Sequence, residues 1–266
     1  MFSTLHRFLI IGYVGATSIA VGAEPADGTV MTESVLQMSH AVGEHQLRYL
    51  LQVPQGEKPK AGWPLILFLH GYGESGDDIA KLKVHGPPKL IAKFKQLQKC
   101  VIISPQCPQQ SWWRIDALKS LVDEVVASRG DIDTSRLYLT GLSMGGYGTW
   151  SFLSLHPDYF AAAIPICGGG DPFRILKGED RLGVKNEFDL EGMKQAKDVP
   201  IWAFHGTDDT SVPIVETEIL VDLLKELGSE NLKFTVIKGA DHGESWRHAY
   251  GDTKTWQWLF AQQRAR

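Results

Sequence analysis

A serine placed at a predicted strand-to-helix turn is the residue of this sequence best suited to act as a nucleophile. The segment Gly141-Leu-Ser143-Met-Gly145 follows the β-branched and aromatic run 136–140 and precedes a helix-like stretch. A serine held in strained backbone geometry at such a turn needs neighbours without side chains, so that the strand and the helix can cross closely. The pattern is that of a nucleophile elbow, and it predicts acyl transfer through Ser143.

A histidine and an aspartate follow at positions where they could activate this serine. A serine hydroxyl is a weak nucleophile at neutral pH, and it needs a base that a third group holds in one tautomer. His242 follows the last predicted strand and is the candidate base, whereas its main competitor, His248, falls inside the predicted final helix. Asp208 and Asp209 follow the preceding strand. Their side chains diverge in extended backbone, so only one can face His242, and spacing leaves both open.

Two backbone amides are candidates for stabilising the oxyanion of such a reaction. Acyl transfer by a serine uses one donor from the residue after the nucleophile and another from the loop after the third strand. Met144 and Tyr72 occupy these places, the latter in the segment His70-Gly-Tyr-Gly-Glu74. The His70-Gly pair alone would also fit a simple strand-ending turn, but together with the elbow it predicts an oxyanion loop.

A pair of tryptophans is the candidate for substrate binding. Trp112 and Trp113 lie on a loop that leaves the carboxyl end of a central strand, the side of the sheet where ligands bind. They could stack on a sugar or a phenolic acyl group, and plain packing of a large aromatic pair is equally open. Metal motifs such as His-Glu-x-x-His are absent from the sequence, and we predict no metal and no organic cofactor.

The elements that must position these residues alternate along the chain. Short apolar runs alternate with longer amphipathic ones from about residue 30, which indicates an α/β fold with a mostly parallel sheet flanked by helices. The strand candidates, eight in all, are 34–40, 46–53, 64–70, 100–105, 135–140, 161–166, 200–205 and 233–238. The helix candidates are 88–97, 115–129, 145–155, 214–227 and 246–263.

The sequence predicts one domain over residues 24–266, because no repeat, low-complexity tract or linker divides this stretch. Residues 168–199 differ in composition from the rest of the chain, with a glycine run followed by charged residues. They could form a short cap over the site, or a solvated connection with one surface helix.

The first 23 residues have the composition of a secretory signal. His6 and Arg7 precede the apolar run 8–21, and Val21-Gly-Ala23 offers small residues for cleavage. A membrane anchor is the alternative, but the run is shorter than the ~20 residues that a bilayer span needs. We therefore predict a secreted or periplasmic protein with no stable membrane insertion after cleavage.

The charge balance argues against polyanionic partners. The chain of 266 residues carries a formal net charge of −4 and has no basic stripe, so we predict no nucleic-acid binding. It has 3 cysteines, Cys100, Cys107 and Cys167, an odd number in a compartment that permits disulfides. Extended chain separates Cys100 from Cys107 too widely for a bridge, which leaves a Cys107–Cys167 disulfide or three buried thiols.

Taken together, these motifs resemble the α/β-hydrolase superfamily. The resemblance is to its secreted carboxylesterase, feruloyl-esterase and polyhydroxybutyrate-depolymerase-like branch, with overlap to the phospholipase/carboxylesterase and dienelactone-hydrolase groups. It spans roughly residues 45–260 and rests on six segments: 70–74, 104–108, 140–150, 166–170, 205–213 and 241–246.

The resemblance implies a fold, a triad acid and an activity. In such families the acid is the fourth residue after the His of a His-Gly pair and precedes Val-Pro, which carries over to Asp209. The implied enzyme is a serine hydrolase that cleaves acetyl, feruloyl or polyester-type esters, with a small or polymer-borne substrate and an oligomeric state that the sequence leaves open. A serine peptidase of prolyl-oligopeptidase type and a catalytically silent binding protein on the same fold are the alternatives.

Overall fold

Eight strands form one sheet in this computed structural model, which describes residues 36–42, 45–170 and 187–264. Along the sheet the order is β1-β2-β4-β3-β5-β6-β7-β8. The strands are β1 Leu36–Val42, β2 His45–Gln52, β3 Trp63–Leu69, β4 Val101–Pro105, β5 Ile132–Leu142, β6 Ala162–Ile166, β7 Ile201–Gly206 and β8 Leu232–Ile237. β2 pairs antiparallel with β1 and β4, and all other neighbours are parallel.

Eight α-helices accompany the strands in the described residues. They are α1 Gly86–Leu90, α2 Lys95–Gln98, α3 Ile115–Arg129, α4 Met144–Leu155, α5 Leu190–Gln195, α6 Val215–Glu226, α7 His242–Gly251 and α8 Thr253–Ala261. Short 3-10 helices cover Tyr72–Glu74, Ile79–Lys83 and Ala196–Asp198. The prediction of an α/β fold with a mostly parallel eight-stranded sheet flanked by helices is confirmed.

The sheet separates two apolar cores. Successive residues of a strand point to opposite faces, so Leu65 and Leu67 of β3 join one core while Ile66 and Phe68 join the other. Side chains of α3, α4, α5 and α6 complete the first core, and those of α2, α7 and α8 complete the second. This arrangement explains why β3 is buried at every position: both of its faces are covered.

Two helix predictions are wrong in their bounds. The predicted helix 88–97 is two short helices, α1 and α2, because Phe94 adopts extended backbone between them and packs its ring against Trp256. The predicted helix 246–263 is α7 and α8, which meet at Asp252, whose carboxylate accepts a hydrogen bond from the Lys254 amide. Moreover, α7 begins at His242, four residues earlier than predicted.

Asp241 fixes the early start of α7. Its carboxylate accepts a hydrogen bond from the Glu244 amide at 2.7 Å, and the Glu244 carboxylate accepts one from the Asp241 amide at 2.9 Å. This reciprocal capping box begins a helix at the next residue. His242, which the sequence placed on the loop before the last helix, is therefore the first residue of α7.

The remaining sequence predictions have mixed outcomes. All three cysteines are buried free thiols, so the Cys107–Cys167 disulfide is absent. The predicted signal, residues 1–23, and part of the possible cap lie outside the described residues. In the rest of residues 168–199, α5 packs on α4, where the Asp189 amide donates to Ser154 Oγ at 3.0 Å. Within the described ranges, none of the helices has the length and apolarity needed to cross a bilayer.

Candidate active site

The turn between β5 and α4 places Ser143 in unusual backbone geometry. Its φ is 55° and its ψ is −119°, a conformation that side-chain-bearing residues rarely adopt. The crossing of strand and helix leaves no space on either side: a Cβ on Gly145 would overlap the carbonyl oxygen of Leu69 in β3, and a Cβ on Gly141 would overlap that of Gly145. The glycines of the elbow are thus required by close approach of backbone to backbone.

Ser143, His242 and Asp209 come together at one edge of the sheet. They follow β5, β8 and β7, three parallel strands whose carboxyl ends share that edge. His242 Nε2 lies 2.8 Å from Ser143 Oγ, and His242 Nδ1 lies 2.6 Å from Asp209 Oδ2. The carboxylate can only accept, so Nδ1–H donates to it and Nε2 is left to accept from the serine hydroxyl. This is the orientation that a general base requires.

Ser245 anchors the helix that carries His242. Its Oγ accepts a hydrogen bond from the Gly206 amide at the end of β7 and donates one to the Asp241 carbonyl, each at 3.0 Å. One hydroxyl therefore ties the first turn of α7 to the strand that precedes the Asp209 loop. The two loops that carry the acid and the base are fixed to each other by this contact.

Asp209 is held by donors on both of its carboxylate oxygens. Oδ1 accepts from the amides of Ser211 at 2.9 Å and Val212 at 2.8 Å, and Oδ2 faces His242 and, at 3.2 Å, Nε2 of His205. Burial would raise the pKa of Asp209, but the hydrogen bonds from His205, His242 and the Val212 amide outweigh it and hold the pKa well below its usual value. The carboxylate stays ionised.

Asp208, the neighbouring candidate, points elsewhere. It is exposed, and its carboxylate accepts a hydrogen bond from the Thr207 hydroxyl at 2.7 Å. The structure thus brings Asp209 to His242 and leaves Asp208 in solvent.

The two predicted oxyanion donors flank the serine. Met144 is the first residue of α4 and Tyr72 the first residue of a 3-10 helix, positions where the amide N–H has no partner within its own helix. The loop before Tyr72 passes against the nucleophile, because a Cβ on Gly71 would lie 3.5 Å from Cβ of Ser143. Glu74 accepts a hydrogen bond from the Gly71 amide at 3.0 Å and closes this loop.

His70 fixes the base of the same loop. Its Nδ1 donates to the Gly71 carbonyl at 2.6 Å, and its Nε2 accepts from the Cys107 amide at 2.9 Å. Burial lowers the pKa of His70 to about 4, against the opposing effect of the Gly71 carbonyl. A neutral imidazole therefore joins the loop after β3 to the loop after β4.

The two tryptophans have different surroundings. Trp113 is buried, stacks edge-on against His70 with 4.7 Å between ring centroids, and fills the space beside Gly148 of α4. Trp112 is only half-buried and meets Tyr147 of α4 edge-on at 6.0 Å. Trp113 is therefore a packing residue of the interior, whereas part of the Trp112 side chain stays exposed beside α4.

Sequence reasoning missed two neighbours of the catalytic histidine candidate and its acid. Trp246 lies one helical turn after His242, with 5.2 Å between the two ring centroids, and a correct start of α7 would have revealed that spacing. His205 precedes Asp209 by four residues, and its Nε2 lies 3.2 Å from Asp209 Oδ2, a contact that its place at the end of a predicted strand does not indicate.

Three described residues converge closely enough to consider a metal ion. Ligand atoms of Cys167, Asp209 and His242 all lie within 4.8 Å of one another. Asp209 and His242 already share their short hydrogen bond, and burial raises the pKa of the Cys167 thiol well above its usual value, so the thiolate that a metal needs is disfavoured. We assign no metal or cofactor to this group.

The sheet and the site together define the class of protein. A mostly parallel eight-stranded sheet, with a serine elbow after β5, an aspartate after β7 and a histidine after β8, is an α/β-hydrolase. A family model described as the prolyl oligopeptidase family matches residues 116–264. The chain belongs to this family and has the α/β-hydrolase fold.

Individual relatives include polyester depolymerases and an esterase. The chain is 24% identical over 249 residues to the poly(3-hydroxyoctanoate) depolymerase of Pseudomonas fluorescens, which covers 84% of this chain and 82% of that protein. It is 45% identical over 53 residues to the poly(3-hydroxyalkanoate) depolymerase C of Paucimonas lemoignei, covering 20% of this chain. The crystal structure of a thermostable esterase superposes with a TM-score of 0.64 and 32% identity over 86% of this chain.

The relatives differ in how much of their own length is matched. The chain spans 13% of the Paucimonas lemoignei depolymerase and 63% of the esterase, compared with 82% of the Pseudomonas fluorescens depolymerase. The match to this last protein therefore extends over most of both chains.

Proposed function

We propose that this protein is a secreted serine esterase that hydrolyses carboxylic esters through an acyl-enzyme. The observation that carries the proposal is the position of His242, which hydrogen-bonds Ser143 through Nε2 and Asp209 through Nδ1. Only this arrangement lets one imidazole accept the serine proton while a carboxylate stabilises the resulting imidazolium.

The proposed reaction proceeds in two halves. Ser143 Oγ attacks the ester carbonyl as its proton moves to His242 Nε2, and the amides of Tyr72 and Met144 receive the oxyanion. The intermediate collapses, the C–O bond to the alcohol breaks, and the alcohol leaves with the proton from His242. Water then attacks the acyl group with His242 again as base, and the carboxylic acid is released as Ser143 regains its proton.

Acetyl, feruloyl and polyester-type esters are the substrates in this proposal. Two relatives are named as poly(3-hydroxyalkanoate) and poly(3-hydroxyoctanoate) depolymerases, and one solved structure is named as an esterase. Trp112, half-buried beside Tyr147, is the proposed contact for the acyl or alcohol part of the substrate. Trp113 is not included, because its ring is buried.

A serine peptidase is the second candidate, and the family match favours it as a specific observation. The same triad and oxyanion donors cleave amides as well as esters. The two candidates differ in the leaving group, since an amine must be protonated as it departs whereas an alkoxide leaves more readily. Relative rates on matched ester and amide substrates therefore separate them.

The test uses p-nitrophenyl esters of increasing acyl length beside the matched p-nitroanilides. We expect the purified chain to hydrolyse the esters at least 100-fold faster (~10²) than the anilides, and Ser143→Ala to reduce ester turnover by roughly 10⁴-fold or more. Ser128→Ala, which removes a hydroxyl on the distant helix α3, is the matched control and keeps wild-type rates. Faster anilide cleavage would establish the peptidase, and equal rates in wild type and Ser143→Ala would refute both.

Secretion and the single domain 24–266 are further parts of the proposal. Secretion is supported by the apolar run 8–21 with its small residues at 21–23, and the single domain by the absence of a repeat, low-complexity tract or linker in the sequence 24–266. Amino-terminal sequencing of the exported protein is expected to begin at residue 24. Retention of residues 1–23 in a membrane fraction would favour the anchor instead.

A further inference from the structure

His205 lies at the end of β7, fully buried, and touches the carboxylate that orients the proposed base. Its Nε2 is 2.9 Å from the carbonyl oxygen of Val212 and 3.2 Å from Asp209 Oδ2. Its Nδ1 is 2.8 Å from Thr217 Oγ1, and this hydroxyl is in turn 2.7 Å from the carbonyl oxygen of Gly168.

The hydrogen-bond partners of the His205 ring restrict its protonation state. Nε2 faces a carbonyl and a carboxylate, which only accept hydrogen bonds, so Nε2 must carry a proton. The hydroxyl of Thr217 has one proton, and the Gly168 carbonyl can only accept it. The 2.8 Å contact between Nδ1 and Thr217 Oγ1 then needs a proton of its own, and Nδ1 is the one atom left to supply it. All four contacts are satisfied together only when both ring nitrogens are protonated.

We propose that His205 is a positioning residue for Asp209 and acts as a buried imidazolium that shares this carboxylate with His242. This inference rests on the proposed function, because it concerns how the triad acid is held and how much of its charge reaches the base. Oδ2 of Asp209 lies between two histidines, at 2.6 Å from His242 and 3.2 Å from His205. A cation at the second position fixes the carboxylate and reduces the stabilisation that it gives to a protonated His242.

The titratable groups around His205 come from four elements. Asp209 follows β7, His242 begins α7, Cys167 follows β6, and Glu216 precedes Thr217 in α6. The Cys167 thiol is kept neutral by burial, which raises its pKa. Asp209, whose pKa is held low in part by His205, is the carboxylate in direct contact with the ring. The ring and Asp209 form an ion pair inside a fully enclosed space, where such pairing has its largest effect.

The first test does not depend on catalysis. Imidazole ¹⁵N spectra of the full chain labelled at histidine are recorded across the neutral pH range in the folded protein. We expect one buried histidine to keep two protonated ring nitrogens at pH 8, and His205→Gln to remove that signal. A His205 ring with a non-protonated Nδ1 at pH 6 to 8 would overturn the proposal, whatever the protein hydrolyses.

The second test asks whether His205 acts on the base. Glutamine at this position retains an amide donor for Val212 and Asp209 but carries no charge. We expect the acid limb of the pH profile of kcat/KM on p-nitrophenyl acetate to move upward by roughly half to one pH unit in His205→Gln, because Asp209 then stabilises protonated His242 more strongly. A merely structural role would lower the rate at all pH values without moving the limb.

Two controls keep the outcomes distinct. His156→Gln replaces a half-buried histidine that packs against Phe152, away from Asp209, and its profile should coincide with that of the wild type. A superimposable profile for folded His205→Gln would contradict the proposal. If the wild type shows no turnover, the proposed function fails while the ¹⁵N result still decides the state of His205.

Discussion

Asp208 and Asp209 are chemically identical neighbours with opposite surroundings. Asp209 is buried and accepts from two backbone amides and two histidines, whereas Asp208 is exposed and bonded to the Thr207 hydroxyl. Asp208 has no comparable contact with His242 or His205. The difference between these two carboxylates arises entirely from the direction in which the chain turns after β7.

Replacing each carboxylate by its amide measures that difference. Asp209→Asn is expected to lower kcat for ester hydrolysis by roughly 10⁴-fold, because an amide cannot hold His242 in the tautomer that accepts from Ser143. Asp208→Asn is the matched control and should remain within about twofold of wild type, as for an exposed residue away from such contacts. Comparable losses in both variants would mean that the assignment of the acid is wrong.

His70 makes stability depend on pH. Its folded-state pKa of about 4 lies below the ordinary value of about 6.5, so the unfolded chain binds a proton at a higher pH than the folded chain. The stability that the neutral ring contributes is complete above pH ~6.5 and is lost as the pH falls towards 4. This single group accounts for about 2 kcal/mol of lost unfolding free energy at pH 5 relative to pH 7.5.

The corresponding experiment compares urea denaturation at pH 7.5 and pH 5. His70→Gln keeps an acceptor for the Cys107 amide and cannot titrate, so its loss between the two pH values should be smaller than that of wild type by about 2 kcal/mol. His248→Gln, a change on the exposed side of α7, should keep the wild-type dependence. An unchanged dependence in His70→Gln would show that the buried ring does not resist protonation.

Among the elements, the crossing of β3, β5 and α4 leaves the least space for an added side chain. The backbone of α4 approaches the carbonyl of Leu69 so closely that Gly145 has no room for a side chain, and the obstacle is backbone that cannot rotate away. The strained Ser143 is also held from β6, because its amide donates to the Ile166 carbonyl at 3.0 Å.

Replacing glycine by alanine, at the crossing and at an open position, tests whether the crossing has space for a methyl group. Gly145→Ala should lower the free energy of unfolding by on the order of 3 kcal/mol and remove most ester turnover, since either α4 or β3 must shift. Gly251→Ala, in a place with nothing within 4 Å of the added carbon, should change stability by less than about 1 kcal/mol. Urea midpoints of the two variants are the measurement, and a wild-type midpoint for Gly145→Ala would refute the argument.

The elements differ in how far the sequence predicts them. The strands buried at every position, β3, β4 and β6, give nearly continuous apolar runs. Each of the eight strand candidates corresponds to a strand of the sheet, although β5 extends over Ile132–Leu142 beyond the predicted 135–140. Helix ends depend on tertiary contacts that periodicity does not contain. The early start of α7 at His242 comes from the Asp241 cap, and the break at Phe94 comes from burial of its ring.

The residues of the site also differ in how far the sequence predicts them. Order along the chain was enough to propose Ser143, His242 and the oxyanion amides, because each follows a recognisable strand. The resemblance to a family was needed to prefer Asp209 over Asp208, since adjacent residues give spacing no means of choosing. The contact of His205 with Asp209 is visible only in the structure, because a histidine at a strand end has the same sequence pattern whether it packs against apolar groups or pairs with a carboxylate.

For the whole molecule, the three cysteines offer a simple check of the fold. Each thiol is buried and none is bridged, which differs from the Cys107–Cys167 pairing that an oxidising compartment would permit. Burial also raises the pKa of Cys107 to about 12, so its thiolate is scarce at neutral pH.

The number of reactive thiols is measured with a chromogenic disulfide reagent. The native protein at pH 8 should show no fast-reacting thiol, and the protein in denaturant should show all three of Cys100, Cys107 and Cys167, with or without prior reduction. Recovery of one thiol in denaturant, rising to three only after reduction, would mean that a disulfide is present after all.

The parallel arrangement of the sheet also determines at which stage of folding the site is assembled. Ser143 and His242 are separated by 99 residues, and Asp209 and His242 by 33, so the contacts that join them close long loops of chain. Non-local pairings of this kind form slowly, after the chain has lost the entropy of each loop. The final strand must dock before the triad is complete. Recovery of turnover during refolding therefore reports the last stage of assembly, later than the gain of helical signal or the burial of Trp113 and Trp150.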